Sequence, residues 1–457
     1  MIYNSKKIIN SKIEHIVFRS LVFIIISLFA EYIIWKRITL NYQFQINIII
    51  LSIWILLVEL VLSFKRMFKL HPINYWSSFL IPLTFNILYN LFIFKYLNIY
   101  FVNSILSTLI ITLLIDYESG ILSSFIFSVY FGLIYGFDVK FTIALFIPSA
   151  IIAIISKKIM RRIEIFLPFI IGSLVQMLCF YILDLSDTTY DYAGLFVVYF
   201  FNTLITMGIL PFFEYITRVY SDIGLLELGN LNNPLLKKLT LKAPGTYYHS
   251  MIISNIAESA VEHIGGNTIL ARVGSYFHDI GKTWKPSFFT ENQKNQNPHN
   301  KISAKLSSLI LNNHVTYGQE LAKKYRLPIL IEDMIVQHQG TRIKQYFYKK
   351  YYDETGIYDK EMFKYPGPIP QFKESAILMI CDVTEAMTRS MPDLNVNDLT
   401  EKLDDLIQSL FFEGQLDDCG LTLKELQMIK GRIIRTIMEM NHKRIKYPKI
   451  DQKNLRR

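Results

Sequence analysis

The sequence predicts an all-α protein in two parts, a polytopic helical membrane domain followed by a soluble helical bundle. Apolar stretches long enough to cross a bilayer recur through the first 217 residues. That half holds 26 charged residues, whereas the last 240 residues hold 60, close to the roughly 25% of ordinary soluble domains. With 20 Gly, 15 Pro and 3 widely spaced Cys, the chain is neither collagen-like, disordered nor a disulfide framework.

Eight membrane spans account for the apolar stretches. We place them near residues 17–35, 46–64, 75–94, 97–115, 120–137, 141–156, 165–183 and 193–213. A cleaved signal peptide is the alternative for the first stretch, but its bulky residues and the lack of a small-residue cleavage site favour an anchor. The predicted organisation is an N-terminal segment 1–16, a membrane domain 17–213, a helical connector 214–243 and a soluble domain 244–457.

The charges between the spans predict the orientation of the chain. Lys and Arg are enriched in short cytoplasmic loops, and with the N-terminus inside, ten lie in inside segments and four in outside loops. We therefore expect a multi-pass protein of the inner (cytoplasmic) membrane, with the bilayer as a partner and everything after Arg218 in the cytoplasm. The second half lacks a basic patch with interleaved aromatic residues, which argues against binding of duplex DNA or RNA.

Histidines cluster in the soluble half, where six of the nine lie between residues 249 and 338. The most informative string is SYFHDIGK, in which His278 and Asp279 are adjacent and Gly281 is expected to end a helix. An imidazole can bind one cation while a neighbouring carboxylate bridges two. Each such residue alone is more often hydrogen-bonded or solvated, so the prediction of a metal site depends on further candidates, namely His249, His314, His338 and Asp382.

The order of these motifs resembles that of a known family. Residues 222–448 resemble the HD-superfamily phosphohydrolases, and within them the bacterial seven-transmembrane HD class of cyclic di-AMP phosphodiesterases. The membrane half also fits that class, except that the class carries a sizeable extracellular domain where this chain has only residues 36–45. The matching strings are NPLLKKLTLKAPGTYYHS, ARVGSYFHDIGK, ENQKNQNPHNKIS, HVTYGQELAKKY, QHQGT, YPGPIPQFKESAILMICDVTEA and FFEGQLDDCGLTLKEL.

The resemblance implies a two-metal site of iron or manganese that hydrolyses a 3′–5′ phosphodiester bond of cyclic di-AMP to give the linear dinucleotide. Asp279 would be a catalytic residue as the ligand shared by both metals. Lys282 is a second catalytic candidate that contacts a phosphate oxygen, with an ordinary cation at a helix end as its alternative. The implied ligands are His249, His278, Asp279 and Asp382 for one metal, and Asp279, His314 and His338 for the other.

Two departures from the family pattern leave alternatives open. Gln339 stands where the family has a further histidine ligand of the second metal, and Tyr248 replaces a histidine that need not touch a metal. A weakened second site would make the chain a receptor or scaffold that binds a cyclic nucleotide without turnover. An enzyme for another cyclic nucleotide is disfavoured, because no GYP tripeptide is present and Tyr365 begins the string YPGP.

The C-terminal stretch predicts two further helices, over about residues 397–412 and 421–442. Thr422 followed by Glu425 has the spacing of a capping box before the second helix. We expect both helices to complete the soluble bundle and to pack against a second copy in a homodimer.

Overall fold

The structure, a computed structural model, describes residues 62–440 apart from 64, 137, 186–187, 294–295, 390 and 392–394. The predicted span 17–35 and nearly all of 46–64 lie outside these residues. Within them every regular element is helical, and the β pairing is limited to one isolated bridge between Ile343 and Lys364. The predicted all-α class is therefore confirmed. Contacts divide the chain into two units, Met1–Glu227 and Leu228–Arg457.

Among the described residues of the first unit, five helices are long and apolar enough to cross a membrane. They overlap the predicted spans 75–94, 120–137, 141–156, 165–183 and 193–213, while the prediction at 97–115 corresponds to the shorter apolar segment Ile99–Leu114. From residue 66 onwards, the α-helices of this unit are α1 Arg66–Leu70, α2 Pro72–Tyr96, α3 Ile105–Leu114, α4 Tyr117–Ile134, α5 Val139–Ile155, α6 Phe166–Ile182, α7 Thr189–Thr217 and α8 Asp222–Leu228, which ends at the unit boundary.

Side-chain amides explain why the shorter apolar segment Ile99–Leu114 is broken at residues 102–104. Backbone groups freed by a break in apolar surroundings need hydrogen-bond partners. The Gln176 amide donates to the Val102 carbonyl (3.2 Å), and the Asn103 N–H donates to the Asn90 side chain (3.0 Å). The Asn202 amide in turn donates to Asn103 Oδ1 (2.9 Å). These partners come from three other helices, which a hydropathy pattern does not reveal.

The second unit is a bundle of nine α-helices within the described residues. Short 3₁₀ turns connect some of the helices of both units, at Ile99–Phe101, Ser156–Lys158, Arg162–Ile165, Ile280–Thr283, Pro286–Phe288, Thr290–Asn292, Pro298–Lys301 and Glu361–Phe363. The helices are α9 Pro234–Lys242, α10 Pro244–His263, α11 Thr268–Phe277, α12 Ala304–Lys324, α13 Ile329–Gln337, α14 Gln345–Thr355, α15 Lys373–Thr388, α16 Val396–Phe412 and α17 Leu423–Met440.

Helix α10 is central to this bundle, because it packs against α11, α15 and α17. Its start is held by one side chain: Asn292 Oδ1 accepts from the N–H groups of Gly245 (2.9 Å) and Thr246 (3.3 Å). The first N–H groups of a helix lack partners within it, so this bond fixes where α10 begins. At the start of α17, Thr422 and Glu425 form the predicted capping box.

Gly281 has a different role from the predicted one. Helix α11 already ends at Phe277, and Gly281 lies in the 3₁₀ turn Ile280–Thr283 that packs against α12. A Cβ atom on Gly281 would lie 1.8 Å from the His314 carbonyl oxygen and 2.7 Å from the Gly318 nitrogen. A glycine is therefore required for close approach of two backbones, which places the His278–Asp279 turn directly beside His314.

Replacement of Gly281 by alanine is expected to push this turn away from α12, since the clash is with backbone atoms that cannot move alone. We expect Gly281→Ala to lower the unfolding free energy by about 3 kcal/mol, at the upper end of overpacking costs. Thermal unfolding of the purified chain measures this. The matched control is Gly431→Ala, on an exposed helical face where a Cβ meets no atom within 4 Å. Equal melting temperatures for the two variants would contradict the close-approach explanation.

Candidate metal centre

The six predicted metal ligands converge in the interior of the second unit, and all six are buried. Five separate stretches of chain supply them, so that the cluster forms only when the bundle folds. His278 and Asp279 directly follow α11, and His338 directly follows α13. The remaining three side chains project from within helices, His249 from α10, His314 from α12 and Asp382 from α15.

The Asp279 carboxylate lies between two pairs of imidazoles. Its Oδ1 atom is 3.6 Å from His314 Nε2 and 3.5 Å from His338 Nε2. Its Oδ2 atom is 3.2 Å from His278 Nε2 and 3.8 Å from His249 Nε2. One carboxylate oxygen thus faces each pair, which is the arrangement a bridging ligand requires.

Asp382 lies on the Oδ2 side of Asp279. Its Oδ1 atom is 2.9 Å from His249 Nε2 and 3.9 Å from His278 Nε2. The acid in the otherwise apolar helix α15 therefore has the partners that its burial demands.

The other ring nitrogen of each histidine is held by an acceptor. Three histidines direct Nδ1 at the carbonyl oxygen three residues earlier, at 2.7, 2.5 and 2.8 Å for His278, His314 and His338. A proton assigned to Nδ1 by these acceptors leaves Nε2 with a free lone pair, the form of histidine that binds metals. The Nε2 atoms of His314 and His338, 3.2 Å apart, then converge on the same space as Asp279 Oδ1.

Electrostatic surroundings keep the acids ionised. Burial raises the pKa of Asp279, but the nearby Lys282 and His278 outweigh burial and hold that pKa well below its usual value. Asp382 shows the same balance, with hydrogen bonding and charge from His249 lowering its pKa. Burial lowers the pKa of His314 to about 3, so this imidazole is neutral at physiological pH.

His249 is the exception among these histidines. Burial opposes its charge, but hydrogen bonds to Asp382 and Glu385 raise its pKa to about 9. Its Nε2 atom, which faces the cluster, therefore carries a proton near pH 7 in the metal-free chain.

The residues present fit a divalent cation. Within the described part of the chain, the buried His278 Nε2 and Asp279 Oδ1 atoms have no hydrogen-bond partner. Two groups bring their ligand atoms within 4.8 Å of one another, His249 with His278 and Asp382, and His278 with Asp279 and His338. Imidazole and carboxylate donors together suit iron, manganese or zinc better than calcium or magnesium.

Lys282 is buried beside this cluster rather than exposed at a helix end. Its ammonium group lies 2.6 Å from Asp279 Oδ2 and 2.8 Å from Glu291 Oε1, and the Thr246 hydroxyl donates to the same Glu291 oxygen (2.8 Å). Burial opposes the lysine charge, but Asp279 and Glu291 outweigh it and raise the pKa of Lys282. Glu291 begins one of the strings that match the family, but the sequence predicted no role for this residue.

Two further residues contact the ligands. Glu385 Oε2 lies 2.7 Å from His249 Nδ1, and Arg389 Nε donates to Glu385 Oε1 (2.6 Å). Sequence reasoning missed Glu385, although it follows Asp382 by three residues and therefore shares its helix face.

Gln339, which the resemblance placed at the second metal, instead donates its amide to Asp382 Oδ2 (3.0 Å). The other oxygen of Asp382, Oδ1, is the one that lies 2.9 Å from His249 Nε2.

Comparisons with known proteins agree with this architecture. Residues 44–221 match the family described as "7TM receptor with intracellular HD hydrolase", and residues 246–387 match the HD domain. The first match begins near the second predicted span and contains the seven later spans, and the second contains all six candidate ligands.

The chain is also similar to two named proteins. The chain is 40% identical over 255 residues to the cyclic-di-AMP phosphodiesterase PgpH of Bacillus subtilis, which covers 56% of this chain and 36% of that protein. It is 40% identical over 246 residues to PgpH of Listeria monocytogenes, covering 54% and 34%. The chain thus spans about a third of the length of these relatives.

A solved structure of the Listeria monocytogenes PgpH HD domain in complex with cyclic-di-AMP is also similar. It is 40% identical in sequence, covers 46% of this chain and 99% of its own, and has a TM-score of 0.45. The sequence matches cover both the membrane region and the helical bundle that follows it. The membrane region is therefore similar to 7TM receptors with an intracellular HD hydrolase, and the helical bundle that follows it is similar to the HD domain.

Proposed function

We propose that the chain is a membrane-bound, metal-dependent phosphodiesterase that hydrolyses cyclic di-AMP to the linear dinucleotide. The observation that carries this proposal is the Asp279 carboxylate, which directs one oxygen at each of two histidine pairs. Such a carboxylate suits a bridge between two cations about 3.5–4 Å apart, the arrangement used for phosphate ester hydrolysis.

The two cations, iron or manganese, would supply positive charge that activates a water and neutralises the phosphoryl oxygens. The chain's own residues would hold them in place. We assign His249, His278, Asp279 and Asp382 to the first position, and Asp279, His314 and His338 to the second.

Lys282 has a positioning role and a substrate role in this proposal. An ammonium group has three donors, and Asp279 and Glu291 accept two of them. The pair with Asp279 orients the bridging carboxylate, and we assign the third donor to a phosphoryl oxygen of the substrate. Lys282 would thereby join the metal centre to the bound phosphate.

The substrate is supported by the names of the relatives, which are cyclic-di-AMP phosphodiesterases, and by the YPGP string at Tyr365. The distribution of Lys and Arg supports an HD domain on the cytoplasmic side of the inner membrane. A homodimer stays a prediction of the sequence.

A receptor that binds a cyclic dinucleotide without turnover is the second candidate. One observation favours it: Gln339 provides an amide where a further imidazole would complete the second position, and that amide contacts Asp382. Binding of cyclic di-AMP with no linear product would select this candidate.

Replacement of Asp279 tests the proposed hydrolysis. Asp279→Asn keeps the side-chain shape but removes the charge shared by both positions, so we expect turnover to fall at least 1,000-fold, a loss of about 4 kcal/mol in transition-state stabilisation. The assay incubates the purified full chain with Mn²⁺ and cyclic di-AMP and quantifies the linear dinucleotide. Asp353→Asn, at an exposed acid of α14, is the control and should be unaffected. Near-normal rates for Asp279→Asn would refute the bridge.

The proton on His249 predicts how cation binding depends on pH. Because the pKa of His249 is raised to about 9, a cation at the first position must displace one proton at neutral pH. Mn²⁺ affinity should therefore rise about tenfold per pH unit between roughly pH 6.5 and 8. Calorimetry in two buffers of different ionisation enthalpy should detect about one released proton. An affinity independent of pH in this range would show that His249 is already neutral.

A further inference from the structure

The two groups of candidate ligands differ in their number of donors. Four atoms face the first position, from two imidazoles and two carboxylates, whereas three face the second, from two imidazoles and one oxygen of Asp279. The second position therefore shares its single negative ligand with the first. Since affinity for a divalent cation grows with the number and charge of its ligands, the first position has the advantage.

The residues that hydrogen-bond the candidate ligands increase the difference in expected cation affinity between the two positions. His249 at the first position has the carboxylate of Glu385 behind its Nδ1 atom, and Arg389 holds that carboxylate from the other side. His314 and His338 at the second position have only neutral backbone carbonyls behind Nδ1. A carboxylate partner raises the basicity of a histidine ligand more than a carbonyl does.

Gln339 also contacts a ligand of the first position, although in the chain it neighbours His338, a ligand of the second position. Its side-chain atom lies 3.0 Å from Asp382 Oδ2 and must be the amide nitrogen, because an ionised carboxylate only accepts hydrogen bonds. This bond occupies Oδ2 and leaves Oδ1 directed at His249 and His278. Gln339 thus fixes the rotation of a ligand of the first position.

We infer that the two cation positions are unequal, with a tight first position and a weak, exchangeable second one, and that Gln339 is a positioning residue of the first. This inference rests on the proposed two-cation function and deepens it. A weak second position makes completion of the site depend on the free concentration of divalent cation. The chain would then respond to metal supply, in addition to any signal sensed by the membrane region.

Calorimetric titration of the full chain with Mn²⁺, together with the metal content after dialysis, tests this inference. We expect two classes of site whose dissociation constants differ at least tenfold. Gln339→Leu removes the bond to Asp382, so it should weaken the tight class about tenfold, the lower end of the range for residues behind metal ligands, and leave the weak class unchanged. Loss of the weak class alone would make Gln339 a ligand of the second cation and overturn its assignment.

Two more variants complete the design. Glu385→Gln should weaken the same tight class as Gln339→Leu, and it also tests the inequality if the latter fails to fold. Gln408→Leu, at an exposed position of α16, is the matched control and should change neither class. Two sites with equal dissociation constants, or a single class of site, in the wild-type chain would overturn the inference.

These outcomes are separable from the fate of the proposed function. A chain that hydrolyses cyclic di-AMP with two equal sites retains the function and loses the inference. Unequal sites without hydrolysis support the inference and remove the proposed reaction.

Discussion

The Asp279 carboxylate is the group on which the metal centre and its surroundings depend. An ionised acid in a protein interior is costly unless it is paired, and this one is fully buried. The bundle surrounds it with four imidazoles, and despite its burial the Lys282 ammonium, with His278 and His338, holds its pKa well below normal. Removal of this one charge would leave Lys282 with Glu291 as its remaining close carboxylate and leave the histidine lone pairs facing each other. The same charge therefore organises the fold locally and would attract the proposed cations.

Backbone geometry brings the carboxylate to its partners. His278 and His338 each directly follow a helix and bond a carbonyl of its last turn, which both satisfies that carbonyl and directs Nε2 inward. The close approach at Gly281 joins the turn carrying Asp279 to the helix carrying His314. Asn292 holds the start of α10, the helix that carries His249. Local helix chemistry thus orients most of the candidate ligands in the metal-free chain.

The residues that converge in the cluster were predicted from the sequence, because the motifs around His249, Asp279 and Asp382 are distinctive; their role as metal ligands stays a prediction. The contacts of the next layer were not, since they depend on how helices rotate against one another. Glu385 and His249 form a pair although they lie 136 positions apart in the chain. Gln339 directly follows His338, yet its side chain contacts Asp382 instead. In the membrane region, hydropathy located the apolar segments but not the amide-supported break at residues 102–104.

The most direct measurement of the central claim is manganese X-ray absorption on the full chain loaded with two equivalents of Mn²⁺ at saturating concentration. A carboxylate that bridges two cations requires a metal–metal scattering path at about 3.5–4 Å. We expect this path in the wild-type chain and its disappearance in Asp279→Asn at matched metal loading. Two bound manganese ions without a metal–metal path in the wild type would contradict this expectation.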